Sequence, residues 1–251
     1  KWTLDEQDIK IKPEDLSLDS SRAKGKISDF DRNAIEAASL IVEQQGGTVD
    51  ALSYGTPAVK QSIKDVLSRG PSRLLWVGDG SAEAADAYVI ANVLAAAIRK
   101  NGPYDLILCG EGSSDMFYQQ IPARLAALLE LPCLTFVQSM SLEGDVLTAT
   151  RKLADCTEQV SVTGPAVVSV LSEMNKPRIP SLKQVLGAAK KPSEEIALAS
   201  LGLDGADLQP KAVRQTPKGF LMNRKNVIYK ESDAAANVAK LVASLASEGL
   251  R

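Results

Sequence analysis

The chain has 251 residues, of which 45% are hydrophobic and 24% charged, enough for one large domain or for one domain plus an appendage, with a core that needs no staples. Lys and Arg total 29 against 31 Asp and Glu, a formal charge of -2, which excludes a chain-wide electrostatic grip on nucleic acid or on an anionic membrane. Histidine is absent, so every His-based triad and His metal ligand is excluded, and three cysteines without a CxxC pair (Cys109, Cys133, Cys156) point to a reducing compartment rather than a disulfide framework or zinc site.

The chain opens at Lys1 rather than Met, which leaves room for a short element upstream, and no basic start followed by an apolar run marks a signal peptide. Ile27 to Gln45 reads as a helix, with Ile35, Ala38 and Val42 on one face. Thr48 to Tyr54 is a short β-branched run, hence a strand. Thr56-Pro57 then reads as cap and first helical residue, and Gly70-Pro71 ends that helix. Arg73 to Val77 is the next strand, and Ser81 opens a long helix that ends near Asn101-Gly102-Pro103. The apolar stretch within it, Ala82 to Ile98, carries Glu83, Asp86 and Asn92 and is too polar for a bilayer helix.

Asp105 to Cys109 is a nearly continuous apolar strand of the kind buried on both faces of a parallel sheet. Tyr118 to Leu129 reads as helix and Leu134 to Val137 as strand. Ser141 to Lys152 and Thr157 to Val162 read as a hairpin across Asp155-Cys156, and Ala166 to Val170 as a further apolar strand. Periodicity is lost over residues 188 to 232, which reads as an extended arm tipped by an amphipathic helix, Asp233 to Leu245. The whole predicts a doubly wound, mostly parallel α/β fold with a small antiparallel hairpin, a domain over 1–187 and an arm over 188–251 that packs equally well on a partner or on its own body.

In open parallel sheets ligands bind beyond the carboxyl ends of strands, so three strand-to-helix junctions are candidate binding loops. The first is Gly110-Glu111-Gly112-Ser113-Ser114-Asp115, leading to Tyr118-Gln119-Gln120-Ile121, where glycines allow close approach and hydroxyls and a helix start offer donors to phosphate. The second is Tyr54-Gly55, and the third Ser28-Asp29-Phe30-Asp31 at a helix start. Each is also what a plain turn or helix cap requires. Together they could line one edge of the sheet for an adenine nucleotide. Met174-Asn175-Lys176-Pro177-Arg178-Ile179-Pro180 holds two prolines and reads as a stiff exposed loop, either a connector or a contact surface. No Asp/Glu pair stands apart as an acid–base couple, no P-loop lysine is present, and no basic tract suits nucleic acid, so an autonomous enzyme is not expected.

The order and spacing of several motifs resemble the small (beta) subunit of electron transfer flavoproteins. They are Ile27 to Asp31 with Ala34-Ile35-Glu36-Ala37, Val66-Leu67-Ser68-Arg69-Gly70, Asp105 to Gln120, Pro165 to Val168, and Asn175-x-Pro177-Arg178 running on to Lys190-Lys191. Asp5 to Ile9 and Cys109 to Asp115 place the likeness nearest the Fix-type branch. The resemblance implies a bacterial cytoplasmic electron carrier, not an enzyme. Its large (alpha) subunit would hold FAD and be embraced by the arm. The small subunit would hold AMP or a second FAD, and the heterodimer would receive electrons from an acyl-CoA-dehydrogenase-like flavoenzyme. The acceptor would be a quinone oxidoreductase or a ferredoxin-like protein. By the same resemblance the nucleotide falls on Ser28 to Asp31, Tyr54 with Gly55, and Gly110 to Ile121, and Met174, Asn175, Pro177 and Arg178 dock the dehydrogenase. The housekeeping form has Asn-Pro at Ser28-Asp29 and Thr at Ile121, and its acidic run shrinks here to Asp115, so AMP and FAD both stay open. Family members also open with a strand that would precede Lys1. A non-redox nucleotide-binding regulatory module of the same fold is the alternative.

Overall fold

The computed structural model describes residues 1–222 and 224–250. The chain forms two compact units, Lys1–Lys10 with Asp19–Pro217, and Ile11–Leu18 with Lys218–Arg251.

The larger unit begins with Trp2–Leu4 (β1), and the chain then passes through a two-stranded ribbon of Lys10–Ile11 (β2) and Leu18–Asp19 (β3). Gly25–Ile27 (β4) pairs antiparallel with β1. Asp29–Gln45 (α1) follows, then Asp50–Gly55 (β5), a 3₁₀ turn at Pro57–Ser62, Ile63–Ser68 (α2) and Arg73–Gly78 (β6). Ala87–Asn101 (α3), Leu106–Gly110 (β7) and Ile121–Leu129 (α4) continue the alternation. Cys133–Glu143 (β8), Val146–Lys152 (β9), Thr157–Thr163 (β10) and Ala166–Val170 (β11) complete one sheet of order β10-β9-β8-β11-β7. Leu182–Ala188 (α5) and Ser193–Glu195 (β12) come next, and β12 makes the second sheet, order β12-β6-β5. All pairs in the second sheet are parallel, as are β11/β7 and β11/β8, while β8/β9/β10 are antiparallel. This is the expected α/β fold with a mostly parallel sheet.

Strand β11 shows why an all-apolar run is required. Ala166, Val168 and Val170 pack with Ala34 and Ala37 of α1, whereas Val167 packs with Ala95 of α3 and Leu125 of α4. Helices therefore cover both faces, and every β11 residue is buried.

Several element boundaries differ from the sequence reading. The first turns after β5 and β6 are 3₁₀, and α3 starts only at Ala87, where the Asp86 carboxylate accepts from the Val89 N–H at 3.0 Å. Strand β8 runs past Val137 to Glu143, through a bulge where Phe136 takes φ 58° and its N–H donates to Ser169 Oγ at 3.1 Å. The bulge lets one strand serve the parallel layer and then the antiparallel extension. The hairpin across Asp155-Cys156 is therefore β9 with β10, and the segment from Ser141 belongs half to β8. The stretch after Ala188 does not leave the body at once. β12 pairs with β6, Ile196 is buried, and Leu198, Leu201, Leu203 and Leu208 pack against the α3 side of the core. The polar triplet Ser193-Glu194-Glu195 hides that strand from pattern reading.

Two edge strands face a common slot. β5 and β7 each end their sheet, and Asp50, Leu52, Leu106 and Leu108 line, with Leu94, Ile98 and Leu125, a gap of about 140 Å³. At its mouth Tyr104 Oη donates to Asp50 at 2.9 Å, and Arg73 pairs with the same carboxylate. The Arg73 hydrogen bond leads the lowering of the Asp50 pKa, and burial with the Asp50 bond pushes the Tyr104 hydroxyl up to about 12.

In the smaller unit the Gly219 N–H donates to the Leu16 carbonyl at 2.7 Å, and Ser17 bridges Lys218. Its helix, Ala234–Ser247 (α6), is capped by Asp233, which accepts from the Ala236 N–H at 3.2 Å. Val238, Leu241, Val242 and Leu245 are spaced to share one helix face, and all are exposed.

Candidate functional site at the carboxyl edge of the sheet

Two of the three candidate loops meet. Gly110 ends β7 directly against the first turn of α1: a Cβ there would lie 2.6 Å from the Phe30 carbonyl carbon and 2.8 Å from its oxygen. Glycine at 110 thus serves helix-on-strand packing rather than a ligand's approach. The contact is locked by polar bonds. Ser114 N–H donates to Ser28 Oγ at 3.2 Å, and the Asp29 N–H donates to Ser114 Oγ at 3.0 Å. Ser28, though at the cap position, makes no cap bond to its own helix, so Ser114 serves as the cap from across the fold. The Gly110 N–H reaches Asp31 Oδ1 at 3.4 Å.

The edge carries paired charge. Asp29 pairs with Lys26 at 3.0 Å and Arg32 at 2.9 Å, and Asp115 with Lys1 Nζ at 2.6 Å. Burial works against the Asp115 carboxylate, but hydrogen bonds from Lys1 and Ser113 prevail and hold its pKa below the ordinary value. Glu111 accepts from Gln119 Nε2 at 3.3 Å and weakly from the Ser172 N–H at 3.4 Å. Ser113 Oγ receives the Met116 N–H at 3.4 Å. Gln120 holds the Arg124 guanidinium through two bonds of 3.1 Å. Helix α4 starts at Ile121, three residues later than the pattern suggests, and has no side-chain cap. Pro122 lacks an N–H, so the Ile121 and Ala123 N–H groups are the free donors of its first turn, while the Ile121 side chain packs into the core.

The third loop behaves differently. Tyr54 packs among Leu75, Val77, Val89 and Val93, and its hydroxyl is a buried polar atom without a partner. Among the described residues no hydrogen bond or ion pair joins Tyr54 or Gly55 to the other two loops. A Cβ at Gly55 would meet only Val59, at 3.7 Å.

Phe117 and Tyr118, inside the segment that the resemblance assigns to the nucleotide, are 47% and 53% exposed beside this edge.

These groups fit a nucleotide in part. The α4 donors and the exposed aromatic rings are unspent, whereas the α1 start is already capped and ringed by carboxylates that disfavour phosphate. A flavin bound at such a site supplies the redox chemistry itself, and the protein supplies binding and orientation.

The loop after β11 is anchored on α1. Asn33 Nδ2 donates to the Ser172 and Asn175 carbonyls, both at 2.9 Å, and Asn175 Nδ2 returns a bond to the Asn33 carbonyl at 3.0 Å. Arg178 Nε donates to Glu36 at 2.8 Å, its backbone N–H to the same carboxylate at 3.0 Å, and its guanidinium also grips Glu43. Those two hydrogen bonds, Glu43's first, raise the Arg178 pKa, and the Arg178 bond lowers that of Glu43. Asn175 and Arg178 thus fasten the loop. Met174 is half-buried, packed against the core formed by β8, β9 and β11. The exposed apolar side chains lie just beyond Pro177: Ile179 at 91%, Leu182 at 74% and Leu186 at 63%. Ile179, Arg32, Arg69 and Lys176 border a cleft of about 420 Å³ beside them.

Among the described residues no group of three or more Cys, Asp or Glu could hold a metal ion, the three cysteines are free, and no helix is long and apolar enough to cross a membrane. The fold defines a doubly wound, mostly parallel α/β protein. A family model described as the electron transfer flavoprotein domain matches residues 15–201. The chain belongs to that family, and its role is of the electron-carrying type.

Proposed function

We propose that this chain is the small (beta) subunit of a heterodimeric electron transfer flavoprotein of the Fix-type branch. The observation that carries the reading is the joint between the α1 start and the β7 loop through Ser28 and Ser114, which builds a polar, aromatic-edged site where the sheet's carboxyl ends emerge. There the chain holds AMP or a second FAD on the donors and rings of loop 110–121, and loop 28–31 fixes that loop in place through Ser28 and Asp29. The α6 face of Val238, Leu241, Val242 and Leu245 covers the large, FAD-bearing subunit. Electrons pass from an acyl-CoA-dehydrogenase-like flavoenzyme toward a quinone oxidoreductase or a ferredoxin-like protein. Co-purification from the native cell extract tests the pairing: a stoichiometric flavin-containing polypeptide is expected, and a flavin-free chain with no partner would favour the regulatory module.

The dehydrogenase docks on Ile179, Leu182 and Leu186, with the cations of the neighbouring cleft facing acidic groups on its surface. The substitution Leu182→Asp is expected to raise the apparent KM for the dehydrogenase about tenfold or more, the loss of one buried apolar anchor. Its melting temperature stays at wild type, because Leu182 touches solvent rather than core. An unchanged KM would remove this face from the interface.

A further inference from the structure

Phe117 sits in an arrangement that local folding alone does not require. Its backbone is left-handed, φ 47°, and Gln119 two residues on is also left-handed, φ 54°. Non-glycine residues resist this region, and such strain gathers where a ligand is clamped. The turn that sets it is well bonded: the Phe117 N–H donates to the Ser113 carbonyl at 3.0 Å, and the Met116 N–H to Asp115 Oδ1 at 2.9 Å. The ring is held from behind. It lies 5.1 Å from the Phe30 ring, tilted by 47°, and presses on Gly112 so closely that a Cβ there would come within 2.6 Å of it. Even so, 47% of Phe117 remains in solvent. A backed, immobilised aromatic with a free surface suits a flat ring, because every heterocyclic base has a π-face to offer it.

We propose that Phe117, with Phe30 behind it, is the stacking platform for the planar heterocycle of the bound nucleotide. This rests on the nucleotide reading above and deepens it by naming the group that takes the ring. Adenine and isoalloxazine share the chemistry, and the titrations separate them.

The test uses the full chain with its co-purified partner, depleted of exchangeable nucleotide and titrated calorimetrically with AMP and, separately, with FAD. Phe117→Asn removes the ring while keeping a residue that accepts the left-handed backbone, so its melting temperature is expected to stay at wild type. Its dissociation constant is expected to rise about 5- to 150-fold, the range for one stacked base. Phe117→Trp is expected to bind as tightly as wild type or tighter. Weakening for AMP identifies adenine as the stacked ring; weakening for FAD alone identifies the isoalloxazine. Wild-type affinity in Phe117→Asn for both ligands would overturn the platform and leave the nucleotide site standing. Failure of the wild-type protein to bind either would overturn the nucleotide reading itself.

Discussion

Arg178→Met is expected to lower stability by about 3 kcal/mol, the usual penalty for stranding one member of a buried ion pair. At this chain length that is a fall of about 6–12 °C in melting temperature. Glu36 is the reason. It is only 6% exposed, and Arg178 supplies it with a backbone and two guanidinium hydrogen bonds. Glu43, the other partner, is exposed and rehydrates readily, so it adds little. The backbone bond alone cannot neutralise a buried carboxylate. The double variant Glu36→Met/Arg178→Met removes the charge along with its partner and is expected to recover most of the loss. A single variant as stable as wild type, read by thermal unfolding, would show that Glu36 finds water in the native state. The same clamp fixes the segment that leads into Ile179 and Leu182, so Arg178→Met is also expected to weaken dehydrogenase docking.

Gly110→Ala is the second large effect. The added methyl would meet the Phe30 carbonyl carbon, carbonyl oxygen and Cβ at 2.6–2.8 Å, none of which is the free end of a flexible side chain. Helix α1 must move, at about 1–3 kcal/mol. The shift also pulls Asp29 from Ser114 and Ser28 from the β7 loop, so nucleotide affinity is expected to fall with stability. Gly55→Ala is the control, since its methyl meets Val59 at an ordinary 3.7 Å, and a change within about 0.5 kcal/mol is expected. Equal stability of the two variants, measured by denaturant unfolding, would mean the α1 start is loosely held.

The layered fold was legible because it rests on local signals. The apolar run Ala166 to Val170 demands burial on both faces, and Gly70-Pro71 stops a helix wherever it stands. Features that depend on distant partners were not legible. The Phe136 bulge needs Ser169 opposite it, and β12 is a strand only because β6 offers an edge. The loops at Ser28 and Ser114 were identified as candidates from glycines and hydroxyls. Their mutual capping spans the fold and follows from no spacing rule. Met174 is a mixed case. Its flexible thioether suits a transient contact, and the same property suits packing against the rim of the core, where it lies half-buried. Ile179 and Leu182 gave no periodic signal that would distinguish exposed from buried apolar residues.

The most direct measurement is the nucleotide content of the native complex. Denaturing the purified complex and identifying the released nucleotides by mass and absorbance should yield two adenine nucleotides per heterodimer. One FAD with one AMP, or two FAD, both place a nucleotide in this chain, and they decide between a single-flavin shuttle and a two-flavin relay. One FAD and nothing else would contradict a nucleotide site at the Ser28–Ser114 edge.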